Sequence, residues 1–98
     1  RMSRQGMYLL DEPESALSPK RQLELLRLLH TVQESAASQI IMATHSPILM
    51  AVPGARLLEI TRAGLAEIEL RDTGHFKLYR DFTVDPDDFV DRALRSEI

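Results

Sequence analysis

The stretch Met7-Tyr8-Leu9-Leu10-Asp11-Glu12-Pro13-Glu14-Ser15-Ala16-Leu17-Ser18-Pro19 decides how this chain is read. Four apolar residues lie between Gly6 and a carboxylate pair, a length and composition that suit a short strand buried on both faces, as in a parallel sheet. Asp11 and Glu12 then stand at its C-terminal end. Ser18-Pro19 is a helix-start signal: the serine oxygen can cap free backbone amides, and proline is tolerated at the first helical position, where its missing N–H is not needed. The spacing predicts a helix over residues 19–34.

Along that helix Leu23, Leu25, Leu26, Leu28, Leu29 and Val32 spread over more than one narrow stripe. Such a helix is expected to cover a sheet and touch a second element as well. Residues 35–38, small and polar, end it. Gln39-Ile40-Ile41-Met42-Ala43-Thr44 is a second near-continuous apolar run, rich in β-branched residues, with His45 at its C-terminal end. Ser46-Pro47 repeats the start signal for a short helix that Pro53-Gly54 stops. Strand, helix, strand with both strands apolar is the pattern of a parallel βαβ unit, whose crossover is right-handed in nearly all cases. Parallel pairing would place Glu12 and His45 on one sheet edge.

Further along, residues 56–61 and 65–70 flank Arg62-Ala63-Gly64 and predict a β-hairpin. Residues 72–98 read as two helices split near Val84-Asp85-Pro86, with Asp85 as the cap and Phe89, Val90, Ala93 and Leu94 as the buried face of the second. There is no internal repeat and no low-complexity segment. The fold class expected is α/β.

A chain of 98 residues forms at most one small domain, burying about two thirds of the surface its unfolded form exposes. With 44% hydrophobic and 28% charged residues it lies in the range of folded globular proteins. A net charge of -3 and a pI near 5.5 give no basic footprint, so charge does not support binding to nucleic acid. The absence of cysteine excludes a disulfide framework and a cysteine-based zinc site, and suits a reducing cytosol. No run approaches the roughly 18 apolar residues of a membrane span, and no secretory leader opens the chain, so a cytoplasmic location is expected. Residue 1 is Arg, and the polar residues 1–6 lead straight into a hydrophobic run without a capping signal, as expected of a fragment of a larger domain.

Four apolar residues followed by Asp11-Glu12 resemble the Walker B motif of P-loop ATPases. Residues 11–19 closely resemble the ABC ATPase segment that joins Walker B to the D-loop, which crosses to a partner subunit in the nucleotide-bound dimer. One strand later, Ala43-Thr44-His45-Ser46-Pro47 is similar to the H-loop, or switch histidine, motif. The resemblance is strong over residues 7–48, looser beyond, and rests on the order and spacing of three motifs. Together with Asp11-Glu12-Pro13-Glu14, the Thr44-His45-Ser46-Pro47-Ile48-Leu49 stretch looks like the AAA-21-like branch of ABC-related ATPases.

The resemblance implies the C-terminal portion of a P-loop NTPase domain spanning residues 1–98, with ATP and Mg²⁺ as cofactors. Asp11 would hold the Mg²⁺, a hard ion that takes oxygen ligands and keeps several waters. Glu12 would orient or deprotonate the attacking water, and His45 would donate a hydrogen bond to the γ-phosphate. Ser15 and Ser18 would be the partner-facing residues of the D-loop in a homodimer. The chain departs from the transporter class at Ser18 and Ser46, where that class usually has Asp, so its interface chemistry differs. No G-x-x-x-x-G-K-[ST] phosphate loop is present, since Gly6, Gly54, Gly64 and Gly74 are too scattered to build one, and the ABC signature sequence is absent. In the family both precede Walker B, so a separate N-terminal half is expected to supply them. The 98 residues alone are expected to bind nucleotide weakly or not at all.

Other readings remain open at this point. The same head chemistry serves ATPases of the DNA-repair and overcoming-lysogenization-defect types, which would carry a coiled-coil insertion or a Toprim-like acidic cluster elsewhere. A non-enzymatic α/β interaction module would make Asp11, Glu12 and Glu14 a solvated acidic loop and His45 a packing residue. A metal hydrolase using Asp11, Glu12 and His45 is reasonable by ligand type but lacks the spacing of a short metal motif. His30 and His75 have no motif around them and read as structural or surface residues.

Overall fold

The computed structural model describes residues 6–35 and 38–98. The polar residues 1–5 and residues 36–37 of the helix-ending stretch lie outside that description. The chain divides into two compact units, residues 1–56 and 57–98. The α/β class holds, with a parallel strand pair in the first unit and an antiparallel hairpin in the second.

In the first unit β1 (Gly6–Asp11) is followed by α1 (Pro19–Glu34), β2 (Ser38–Ala43) and α2 (Pro47–Met50). The expected helix bounds are those observed. Ser18 lies in extended backbone and its side chain accepts a hydrogen bond from the Arg21 amide at 3.2 Å, which starts α1 where Pro19 can follow without losing a needed donor. Ser46 does the same for α2, accepting from the Leu49 amide at 3.2 Å. The strands β1 and β2 pair in parallel, with Tyr8 opposite Ile40, Leu9 opposite Ile41 and Asp11 opposite Ala43.

The core is small and one-sided. Leu29 of α1, Leu49 of α2 and Val52 are buried, and Leu10, Leu25, Leu26, Ile40 and Met42 pack against them. Leu25, Leu26 and Leu29 are spaced i, i+1, i+4 on one face of α1, while Leu23 and Leu28 stay exposed. The apolar residues of α1 therefore form one buried stripe with outliers. Beyond α2, Gly54 has a φ of +83°, and a Cβ there would come within 2.7 Å of the Gln33 side-chain nitrogen, which donates to the Pro53 carbonyl at 3.2 Å. That contact fixes the end of α1 to the turn that stops α2.

The expectation of strands buried on both faces is corrected. Met7, Leu9 and Ile41 are 59%, 71% and 49% exposed. The helices α1 and α2 cover the face carrying Leu10, Ile40 and Met42. Side chains alternate across a strand, so the opposite row gains no cover from that layer.

In the second unit β3 (Leu58–Thr61) pairs antiparallel with β4 (Gly64–Glu67), so each strand is shorter than the sequence pattern suggests. Gly64 is the partner of Thr61 in the ladder, which leaves Arg62-Ala63 as the connecting pair. Leu70, expected in the second strand, instead opens a 3₁₀ turn over Leu70–Asp72. The helices α3 (Gly74–Val84) and α4 (Pro86–Leu94) follow, capped by Thr73 and Asp85. Asp85 accepts from the Asp88 amide at 3.1 Å, as its place before Pro86 predicts. The face expected to be buried on α4 is not: Val90 is 46% and Leu94 80% exposed, and Ala93 is exposed too. Phe89 alone of the four is half-buried, its ring edge-on to Phe82 with centroids 5.6 Å apart. Two helices and a two-stranded hairpin supply no second layer to bury the rest. No helix among the described residues is long and apolar enough to cross a membrane.

Candidate active site

The site sits where the two parallel strands of the first unit end. Pairing of Asp11 with Ala43 sets the chain segments that leave β1 and β2 side by side, and the Glu12 amide donates to the Ala43 carbonyl at 2.7 Å, extending the ladder by one bond. Residues 12–14 therefore meet residues 44–46. Open α/β sheets bind ligands in this position, beyond the carboxyl ends of their strands.

Glu12 has a φ of 47°, the left-handed region that a long side chain rarely occupies. The turn that follows closes on it, with the Ser15 amide donating to the Glu12 carbonyl at 3.1 Å and the Leu17 amide to the Glu14 carbonyl at 2.8 Å. A carboxylate oxygen of Glu12 lies 3.8 Å from Nε2 of His45, both side chains being more than half exposed. That separation is an ion-pair distance when the imidazole is protonated and is too long for a hydrogen bond. Asp11, at the strand tip, is exposed. Asp11, Glu12 and His45 thus share one sheet edge, as parallel pairing predicted, and the edge faces solvent.

Glu14 lies under this edge. Its two carboxylate oxygens each accept one bond, from the Thr44 hydroxyl at 2.7 Å and from the His45 amide at 3.0 Å. Partial burial opposes ionisation, but the bonds from Thr44, the His45 amide and its own amide, with the nearby His45 ring, outweigh it and hold the carboxyl below the usual glutamate range. From Thr44 the hydrogen bonds continue. The Ser46 amide donates to the Thr44 hydroxyl at 3.0 Å, the Ser46 hydroxyl donates to the Gln22 side-chain oxygen at 2.5 Å, and the Gln22 side-chain nitrogen donates to the Leu17 carbonyl at 3.2 Å. Each hydroxyl spends its single proton once, so the donor directions are fixed from end to end.

Of the residues singled out in the sequence, Glu12 and His45 come together, and Asp11 stands at the same strand end. Ser15 and Ser18 lie in the exposed turn between β1 and α1, Ser18 with its oxygen engaged as the α1 cap. His30 is on the surface of α1, 3.6 Å from Glu34, and His75 is exposed in the second unit. Thr44 and Ser46 also belonged to a quoted motif, but the bonds that they and Gln22 make across the site escape a reading of local pattern, because the partners are up to 30 residues away. Glu14 belonged to a quoted motif, and the signal for its contact was the register that brings residues 12–14 beside 44–46.

Among the described residues no group of three or more His, Asp or Glu is gathered to hold a metal ion. Magnesium asks less of the protein: one or two carboxylates suffice when phosphate oxygens and water complete its shell, and the exposed Asp11 carboxylate meets that requirement.

No curated protein and no solved structure matches this chain. A family model does, over residues 1–51, which takes in both strands of the first unit, α1, α2 and every residue of the site. Its description is "AAA domain, putative AbiEii toxin, Type IV TA system". Since those residues are more than half of the 98, the chain belongs to this family of AAA-type domains.

Proposed function

We propose that this chain supplies the magnesium-holding and water-activating side of the ATP site in an ATP-hydrolysing domain of ABC type, with Asp11-Glu12 as Walker B and His45 as the switch histidine. One observation carries the reading. The parallel register brings the Glu12 carboxylate to 3.8 Å from the His45 imidazole at the carboxyl end of the sheet, in a solvent-facing position that a γ-phosphate and its attacking water can enter.

Asp11 would hold a Mg²⁺ ion, which would supply positive charge to offset that of the phosphates. Asp11 contributes one carboxylate toward it. Glu12 accepts a proton from the attacking water or fixes its direction, a role that needs a carboxylate free of structural partners and open to solvent. His45 donates through its ring to the γ-phosphate oxygens. The turn bearing Ser15 and Ser18 meets a second copy of the domain. No phosphate loop occurs in these 98 residues, so the phosphates are cradled by another segment, and the open row Met7, Leu9 and Ile41 is apolar sheet surface suited to packing against it.

In a protein that unites this chain with its phosphate-binding half, His45→Ala is expected to lower steady-state ATP hydrolysis about a hundredfold or more. Near-normal turnover of that variant would leave His45 a structural residue and remove the switch assignment.

A further inference from the structure

The Glu14 carboxylate stands apart from the reacting edge, yet it is bonded to the backbone of the residue whose ring the proposed reaction uses. We propose that Glu14 is a positioning residue: it anchors the loop after β2 so that the His45 ring stays beside Glu12. The inference rests on the assignment of His45 to the ATP site.

Three observations carry it. Both Glu14 oxygens are spent on the His45 loop, one on the Thr44 hydroxyl and one on the His45 amide, so the carboxylate spans the peptide whose rotation would swing the ring. A hydrogen-bonded chain with fixed donors then runs from Thr44 through Ser46 and Gln22 to the Leu17 carbonyl, next to Ser18. The loop is therefore tied at two points to the segment between β1 and α1, which carries Glu12 at one end and Ser18 at the other. Finally, Ser46 is buried and caps α2, whose Leu49 is the most deeply buried side chain of the core, so the loop is fixed on its far side as well. The Glu14 side can loosen without unfolding α2.

Only a carboxylate offers an anionic acceptor to both partners at once. An amide at position 14 has one acceptor end: it either accepts from Thr44 and sets its NH₂ against the His45 N–H, or flips to accept from His45 through a neutral oxygen and turns its NH₂ to the Thr44 hydroxyl, and either way the charge-assisted bond to His45 is lost. Asp, one methylene shorter, keeps both acceptors but reaches them less well.

Glu14→Gln in the full-length protein separates the possibilities by two readouts. Hydrogen exchange of the His45 amide is expected to quicken by about tenfold or more, the loss of one hydrogen bond to a charged group. The kcat for ATP should fall by about tenfold while KM changes little, and Glu14→Asp should recover part of both. Unchanged exchange at His45 would overturn the anchor. Faster exchange with unchanged kcat, in a protein that His45→Ala inactivates, would overturn the positioning role. Should Glu14→Gln fail to fold, the isosteric Thr44→Val carries the same test, with faster exchange at the His45 and Ser46 amides and lowered kcat expected, and unchanged exchange contradicting the proposal. If His45→Ala and Glu12→Gln both remain fully active, the ATP-site assignment has failed, and the exchange data distinguish that outcome from a failed anchor.

Discussion

At the scale of single residues, the site combines one strained backbone and one carboxylate bonded at both oxygens. Glu12 is held at φ 47°, a conformation that costs about 1–3 kcal/mol for a non-glycine residue and persists where neighbours impose it. Here the imposing contacts are the Glu12 amide bond to Ala43 and the Ser15 bond back to Glu12. The residue type was legible from the sequence; its backbone angle was not, because the angle follows from where β2 ends. Glu14 makes a prediction on pH. Its carboxyl is held below the usual glutamate range, so the ionised form contributes stability that is present above the unfolded-state value and is lost as pH falls through the folded-state one. Wild type is expected to be more stable than Glu14→Gln at pH 7 and to converge on it as pH falls below the folded-state value, read by denaturant titrations across the acid range. A constant difference between the two across that range would mean that the carboxylate form makes no such contribution.

At the scale of elements, the β1–α1–β2–α2 order was readable because each boundary carries its own chemistry. Ser18-Pro19 and Ser46-Pro47 cap and open the two helices, and the apolar runs before and between them are too short for helices. Burial was not readable. Met7, Leu9 and Ile41 look like core residues in a parallel strand, but whether such a row is covered depends on a layer that no local pattern encodes. The hairpin was over-extended for a related reason: Leu70 suits a strand by type, yet Thr73 claims its carbonyl for the turn that opens α3, the hydroxyl donating to it at 2.8 Å. Energetics at this scale centre on α2. Leu49 is 0% exposed in a core of few residues, so Leu49→Ala should destabilise the first unit by about 2–5 kcal/mol, whereas Leu28→Ala, at a position 58% exposed, should stay within about 0.5 kcal/mol. Urea titrations followed by circular dichroism would measure both, and equal effects would contradict the assignment of the core.

At the scale of the whole molecule, the chain is two small units, and the family match lies in the first. Asp11, Glu12 and His45 could be nominated from motif order and then placed on one edge by the parallel register. The connection beneath them could not, since Glu14 to Thr44 spans 30 residues and Ser46 to Gln22 spans 24, distances that only tertiary structure closes. The second unit shows the reverse case. Its α4 has a readable apolar face, but Val90 and Leu94 remain exposed because nothing within that unit lies over them.

The central claim is that Glu12 activates water at an ATP site. Its most direct test is single-site turnover of Glu12→Gln, a substitution that keeps the size of the side chain and removes its basicity, in the protein that includes the phosphate-binding half. ATP is expected to remain bound while hydrolysis falls about a hundredfold or more. Hydrolysis at the wild-type rate, with ATP bound as before, would contradict the claim.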